Sequence, residues 1–116
     1  MIVCAIDDLI FSIKISTTAK QLGVAVHFER SRENVLPVVR EKQPSLVIFD
    51  LNSARLAPMA AIAAIKADPA LQAVKTLGYV SHVDSDTIAA ARQAGVDQVL
   101  ARSAFSDRLG EILTTA

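Results

Sequence analysis

The chain has one cysteine, no tryptophan and one tyrosine, and its charges cancel, with twelve Lys and Arg set against twelve Asp and Glu in 116 residues. Each shortage removes a class of protein. With Cys4 alone no disulfide forms within the chain, and its place in the first apolar run makes it a packed core thiol and not a reactive one. Balanced charge excludes a general polyanion surface and a disordered charged tail. The basic residues Lys14, Lys20, Arg30, Arg32 and Arg40 are scattered and no helix-turn-helix is attached, so direct nucleic-acid binding is not expected. The apolar stretch Ile2 to Ile6 is too short for a signal core or a membrane span and has no basic region before it. A cytoplasmic protein with no membrane contact is the expectation. There is no G-x-G-x-x-G, G-K-[ST] or G-x-S-x-G segment, and Cys4, His27 and His82 lack zinc-ligand spacing.

What the chain does have is carboxylate at the ends of apolar runs. Asp7-Asp8 closes Ile2-Val3-Cys4-Ala5-Ile6, and Asp50 closes Ser45-Leu46-Val47-Ile48-Phe49. Continuous short apolar runs read as strands of a parallel sheet buried on both faces. In open α/β sheets ligands gather beyond the carboxyl ends of the strands, near the topological switch point. Three carboxylates at one such edge repel one another unless a cation sits among them, and hard oxygen donors partly open to water suit Mg²⁺.

Between these runs the periodicity changes. Ile10, Ile13, Ile15, Ala19 and Leu22 have helical spacing, ended by Gly23. Residues 24–28 form a β-rich run, and a helix from about Glu33 to Lys42 tolerates Pro37 near its start before Gln43-Pro44 breaks it. The third strand is 45–50. A helix follows from Pro58, a fitting first helical position, to about Lys66, where Asp68-Pro69 ends it. A fourth strand over 76–81, a helix over 84–94 closed by Gly95, a short strand over 98–101 and a helix from Ser103 to about Thr114 complete the pattern. Five strands alternating with five helices predict a single α/β domain, residues 1–116, with a parallel sheet covered on both faces. The alanine-rich helix 57–67 is read as packing.

These residues resemble the receiver domain of two-component response regulators, in the single-domain style of the chemotaxis regulator. The resemblance spans almost the whole chain. It rests on Asp7-Asp8 after the first strand, Leu46-Val47-Ile48-Phe49-Asp50-Leu51 at the third, Ile65-Lys66-Ala67-Asp68-Pro69, Ser81 at the end of the fourth strand, and Ala94-Gly95-Val96-Asp97. It implies a flavodoxin-like, doubly wound five-stranded sheet of order 2-1-3-4-5. It further implies that Asp50 accepts a phosphoryl group from a histidine kinase or phosphotransfer protein. Asp8 and Asp50 would ligate Mg²⁺ directly, Asp7 through water, and the backbone carbonyl of Asn52 would complete the set. Ser81 would sense a phosphoryl oxygen. A downstream protein would dock on the fourth helix, fifth strand and fifth helix, and a homodimer is compatible with the small residues there. Such a domain is a regulatory phosphoacceptor and not a metabolic enzyme.

The sequence also departs from the family pattern. The usual lysine is Arg102, and the proline after it is Ser103, with one extra residue before Phe105. Arginine can still meet a phosphoryl group, or it can clamp unmodified Asp50 through its planar fork. Ala54 and Pro58 replace a customary proline and glycine beyond Asp50, and Val99 stands where an aromatic gate is expected. Tyr79 reads as a core or sheet-face residue, His82 as a polar residue at the rim, and His27 as structural without a visible partner. The alternative is therefore a pseudo-receiver, an interaction module that no longer cycles phosphate.

Overall fold

Short apolar runs become the strands of one parallel sheet in the computed structural model, which describes residues 1–81 and 84–116. The strands are β1 (Ile2–Ala5), β2 (Val26–Phe28), β3 (Leu46–Asp50), β4 (Lys75–Val80) and β5 (Gln98–Ala101), arranged β2-β1-β3-β4-β5. The expected order is the observed one. Ile2 to Ala5 pairs with Leu46 to Phe49, and Asp50 lies in register with Tyr79. The strand order reverses at β1 and β3, whose carboxyl ends carry the acids.

Helices α1 (Leu9–Leu22), α5 (Arg102–Asp107) and α6 (Leu109–Thr115) supply Phe11, Ile15, Phe105, Leu109 and Leu113, which pack with Cys4, Ile48 and Tyr79 on one face of the sheet. Helices α2 (Arg32–Lys42), α3 (Pro58–Ala67) and α4 (Ser85–Ala94) supply Val35, Val39, Ile62, Ile65 and Ala91, which pack with Val47, Phe49 and Val80 on the other. Each fully buried aliphatic side chain of this kind contributes about 1.5–3 kcal/mol of transfer free energy. Side chains alternate across a strand, so Asp50 falls on the face of Leu46 and Ile48, toward α1.

Three expectations need correction. The first helix buries Phe11, Ser12, Ile15 and Ala19, whereas Ile10, Ile13 and Leu22 face outward. The stripe is set by the sheet contact of Phe11, which shifts the buried face by one residue. The last helix is two helices, because Arg108 leaves the helical region at φ −101° and ψ 11°. His27 has a partner after all, since its Nε2 lies 3.3 Å from Glu29 Oε1.

Gly23 and Gly95 end α1 and α4 with positive φ, as their positions predict. Gly78 is needed for a different reason. A methyl group there would sit 2.6 Å from the side-chain carbons of Leu51, the residue that follows Asp50. Thr76 and Asp97 join the starts of β4 and β5. The Thr76 N–H donates to Asp97 Oδ2 at 2.8 Å, and the Asp97 N–H donates to Thr76 Oγ1 at 3.0 Å. Lys66 adds an ammonium 2.5 Å from the same Asp97 oxygen. Burial pushes the Asp97 carboxyl up, but these bonds together outweigh it and hold it below the usual range.

Candidate functional site

The carboxyl edge of β1 and β3 gathers Asp7, Asp8, Asp50, Asn52, Ser81 and Arg102, the residues singled out from sequence. Each acid has its own neighbours. Asp8 caps α1, with Oδ1 accepting the Phe11 N–H at 3.1 Å, while Oδ2 accepts from the Arg102 guanidinium at 2.8 Å. Capping fits the residue, since aspartate satisfies an orphan N–H and its charge favours the helix N-terminus. Asp7 accepts with both oxygens from Nη1 of Arg55, at 2.8 and 3.0 Å. Asp50 is buried, and its Oδ1 accepts the Asn52 N–H at 3.0 Å.

Burial raises the Asp50 carboxyl above the ordinary aspartate value, and the negative charges of Asp8 and Asp7 push the same way. The Asn52 N–H and the Arg102 charge oppose this without cancelling it. Arg102 thus meets Asp8, and the clamp on Asp50 considered from sequence is replaced by a bond one strand away. The reason is position. Arg102 opens α5 on the β5 side, and its guanidinium crosses the Phe11 ring 4.6 Å from the centroid before it reaches the helix cap.

Phe11 belongs to an aromatic trio. Its ring centroid lies 4.9 Å from that of Tyr79 and 5.5 Å from that of Phe105, and Tyr79 stacks on Phe105 at 5.2 Å. Tyr79 is fully buried, as a core residue should be, but its hydroxyl has no hydrogen-bond partner among the described residues. Burial, then the charges of Asp50 and Asp8, raise its pKa and keep the phenol neutral.

Asn52 joins the two strand ends. Its side-chain oxygen accepts the Ser81 N–H at 2.7 Å, and its backbone carbonyl accepts from the Ala54 N–H at 3.1 Å. Ser81 lies just beyond β4 and is exposed. His82, read from sequence as a rim residue, lies outside the described residues.

Sequence reasoning missed Arg55 and Arg32. Arg55 sits in a 3-10 turn, Ala54–Leu56, after β3. Arg32 donates from Nε to the Arg55 carbonyl and from Nη2 to the Ala54 carbonyl, both at 2.9 Å, and so fastens that turn to α2. No periodicity or motif marks either residue, because each acts through the reach of a long side chain.

The carboxylates and the Asn52 carbonyl are hard donors of the kind Mg²⁺ accepts, and burial, with the charges of Asp8 and Asp7 adding to it, disfavours the ionised form of Asp50. Yet among the described residues no three His, Cys, Asp or Glu side chains stand together so as to hold a metal ion. The donor chemistry fits Mg²⁺, and Asp7 and Asp8 are each engaged by an arginine. A cavity of about 350 Å³ at the opposite edge, lined by Lys75, Asp97, Arg108 and Glu111 among others, touches none of these residues.

No family model matches the sequence, and no curated protein does. Solved structures do. A response regulator from Hahella chejuensis superposes with a TM-score of 0.86 at 17% identity, over 97% of this chain and 91% of that one. The receiver domain of a sensor histidine kinase from Pseudomonas aeruginosa, solved with magnesium coordinated in its active-site cleft, gives 0.84 at 18% identity over 98% and 93%. A phosphorylated cyanobacterial phytochrome response regulator gives 0.77 at 19% identity over 98% and 88%. The chain has the receiver fold. At such identities the likeness speaks for the fold alone.

Proposed function

We propose that the chain is a single receiver domain of a two-component system, a regulatory phosphoacceptor that signals through protein contact. The observation that carries this reading is Asp50, buried at the switch point with a raised carboxyl and backed by Asp7 and Asp8. In the proposed step, an Asp50 carboxylate oxygen attacks the phosphorus of a phosphohistidine on a histidine kinase or phosphotransfer protein. The new O–P bond forms as the P–N bond breaks, and the departing imidazole nitrogen keeps the electron pair and takes a proton from solvent. Arg102 lies near enough to influence Asp50 electrostatically and can turn from Asp8 toward the added oxygens. The Asn52 and Ser81 N–H groups, with the Ser81 hydroxyl, supply donors at the same edge. Asp8, Asp50 and the Asn52 carbonyl would hold Mg²⁺, with Asp7 reaching it through water, and the cation would offset the negative charge that meets as the carboxylate attacks.

Two surfaces serve the partner reading. The face of α4, β5 and the final helices, with Asp107, Arg108 and Glu111 exposed, is the proposed docking surface for a downstream protein or a second copy. Helix α1 shows Leu9, Ile10 and Ile13 at 62%, 79% and 58% exposure directly beside Asp8, which suits the phosphodonor's approach. Among the described residues no helix is long and apolar enough to cross a membrane. The proposal includes a cytoplasmic location and no direct contact with nucleic acid.

A second reading, the pseudo-receiver, is favoured by the arginines on Asp7 and Asp8. Intact mass after acetyl phosphate treatment separates the two. One phosphoryl group should appear on the wild type and vanish in Asp50→Ala, with Arg102→Ala still modified but weaker in its structural response. No mass gain, with acetyl phosphate or with a phosphorylated histidine donor, supports the pseudo-receiver, and a gain that persists in Asp50→Ala overturns the choice of acceptor.

A further inference from the structure

We infer that Arg55 is a tethered competitor for the cation at the acid edge, so that a divalent cation engages this site only when Arg55 leaves Asp7. This rests on the cation reading above and concerns its control. Three observations combine.

The first is charge. Two of the three acids already have arginine partners, and the Arg55 Nη1 meets both Asp7 oxygens. A guanidinium in that position and a cation whose water shell needs Asp7 exclude each other. Asp50 alone is left without a direct cationic partner among the described residues.

The second is tethering. Arg55 lies five residues beyond Asp50, in the turn whose Ala54 and Arg55 carbonyls are both held by Arg32. Asn52, at the start of the same loop, contacts both Asp50 and Ser81. The Arg55 backbone is therefore held beside the acids while its exposed side chain is free to leave Asp7.

The third is an exit. An open pocket of about 330 Å³, lined by Arg30, Ser31, Arg32, Glu33 and Arg55, lies beside the turn. It contains a carboxylate, Glu33, that can receive the displaced guanidinium. The side chain of Arg55 is 68% exposed, so the exchange disrupts no core packing. An exposed ion pair of this sort stabilises by about 0.2–1 kcal/mol, enough to weaken a competing cation by up to roughly fivefold.

The test is titration of the ¹⁵N-labelled chain with MgCl₂, following backbone amides and the Arg55 Nε–H signal, with choline chloride as the ionic-strength control. Arg55→Ala should bind Mg²⁺ about 1.5-fold to fivefold more tightly than the wild type. Arg55→Lys, which keeps a charge without the fork, should fall between the two. Arg32→Ala, which frees the turn and leaves Asp7 untouched, should give a smaller gain. In the wild type the Arg55 Nε–H and the Ala54 amide should shift in step with amides at Asp8 and Asn52. Equal affinity in wild type and Arg55→Ala, with shifts at Asp8 and Asn52, overturns the competition and leaves the cation site standing. No binding by either chain overturns both the competition and the site.

Discussion

The two edges of the sheet each carry aspartate, and they treat it in opposite ways. At the amino edge Asp97 receives Lys66, the Thr76 N–H and the Thr76 hydroxyl on one oxygen, and its carboxyl is held below the usual range. At the carboxyl edge Asp50 is buried with one backbone donor and two other acids nearby, and its carboxyl is raised. The first arrangement spends its donors on holding two strands together. The second leaves a buried carboxyl with one backbone donor, and burial disfavours its charge.

Removing the well-satisfied acid should have the largest effect. Asp97→Ala strands the N–H of buried Thr76 and leaves Lys66 only the Val74 carbonyl, and should lower unfolding free energy by about 2 kcal/mol in urea denaturation. A loss under about 0.5 kcal/mol would mean that water replaces the carboxylate and that the two edges differ less than their geometry indicates. The sign with pH follows from the lowered carboxyl. Asp97 contributes fully above the unfolded aspartate value of about 4, and its contribution fades as pH falls through the lower folded value.

Neutralising the buried acid should act the other way. Folding raises the Asp50 carboxyl, so the folded chain binds its proton more readily than the unfolded chain does. Its ionisation therefore reduces stability as pH rises from about 4 through the raised folded value. Without divalent cation, Asp50→Asn should gain on the order of 1 kcal/mol at neutral pH, visible as a melting point a few degrees higher. The gain should shrink toward zero in acid. An Asp50→Asn chain less stable than wild type at neutral pH would break the contrast. Asp8→Asn should bring no such gain, because Arg102 and the α1 cap already compensate Asp8.

The smallest effect belongs to the orphan hydroxyl. Tyr79→Phe removes a buried group with no partner and keeps the stacking on Phe105. It should be neutral or stabilising by about 0.5 kcal/mol. A loss of more than about 1 kcal/mol would reveal a bound water or a bond to the acid edge, and Tyr79 would then count among the site's donors.

The buried character of β1 and β3 and the acids at their ends could be read from the sequence, because two-sided burial writes itself as unbroken apolar runs with polar ends, whereas the strand order came only with the receiver resemblance. The α1 face could not. Ile10 and Ile13 satisfy helical spacing as well as Phe11 and Ile15 do, and only the sheet contact of Phe11 chooses between them. The partners of the acids were also beyond reach. Arg55 is close to Asp50 in sequence and bonds Asp7, while Arg102 passes Asp50 and bonds Asp8. Such pairings depend on rotamers and on which carboxylate already caps a helix. The division at Arg108 has no proline to announce it, and Gly110, two residues on, is the one weak local signal.

Gly78 never touches the acids, yet it leaves room for the residue that follows one of them. Leu51 fills the space that a side chain at 78 would need, and Leu51 is bonded in sequence to Asp50 and by its N–H to the Tyr79 carbonyl at 3.0 Å. Any side chain at position 78 would have to displace the tip of the Leu51 side chain. The strand that ends in Asp50 is therefore fitted to an empty space in its neighbour.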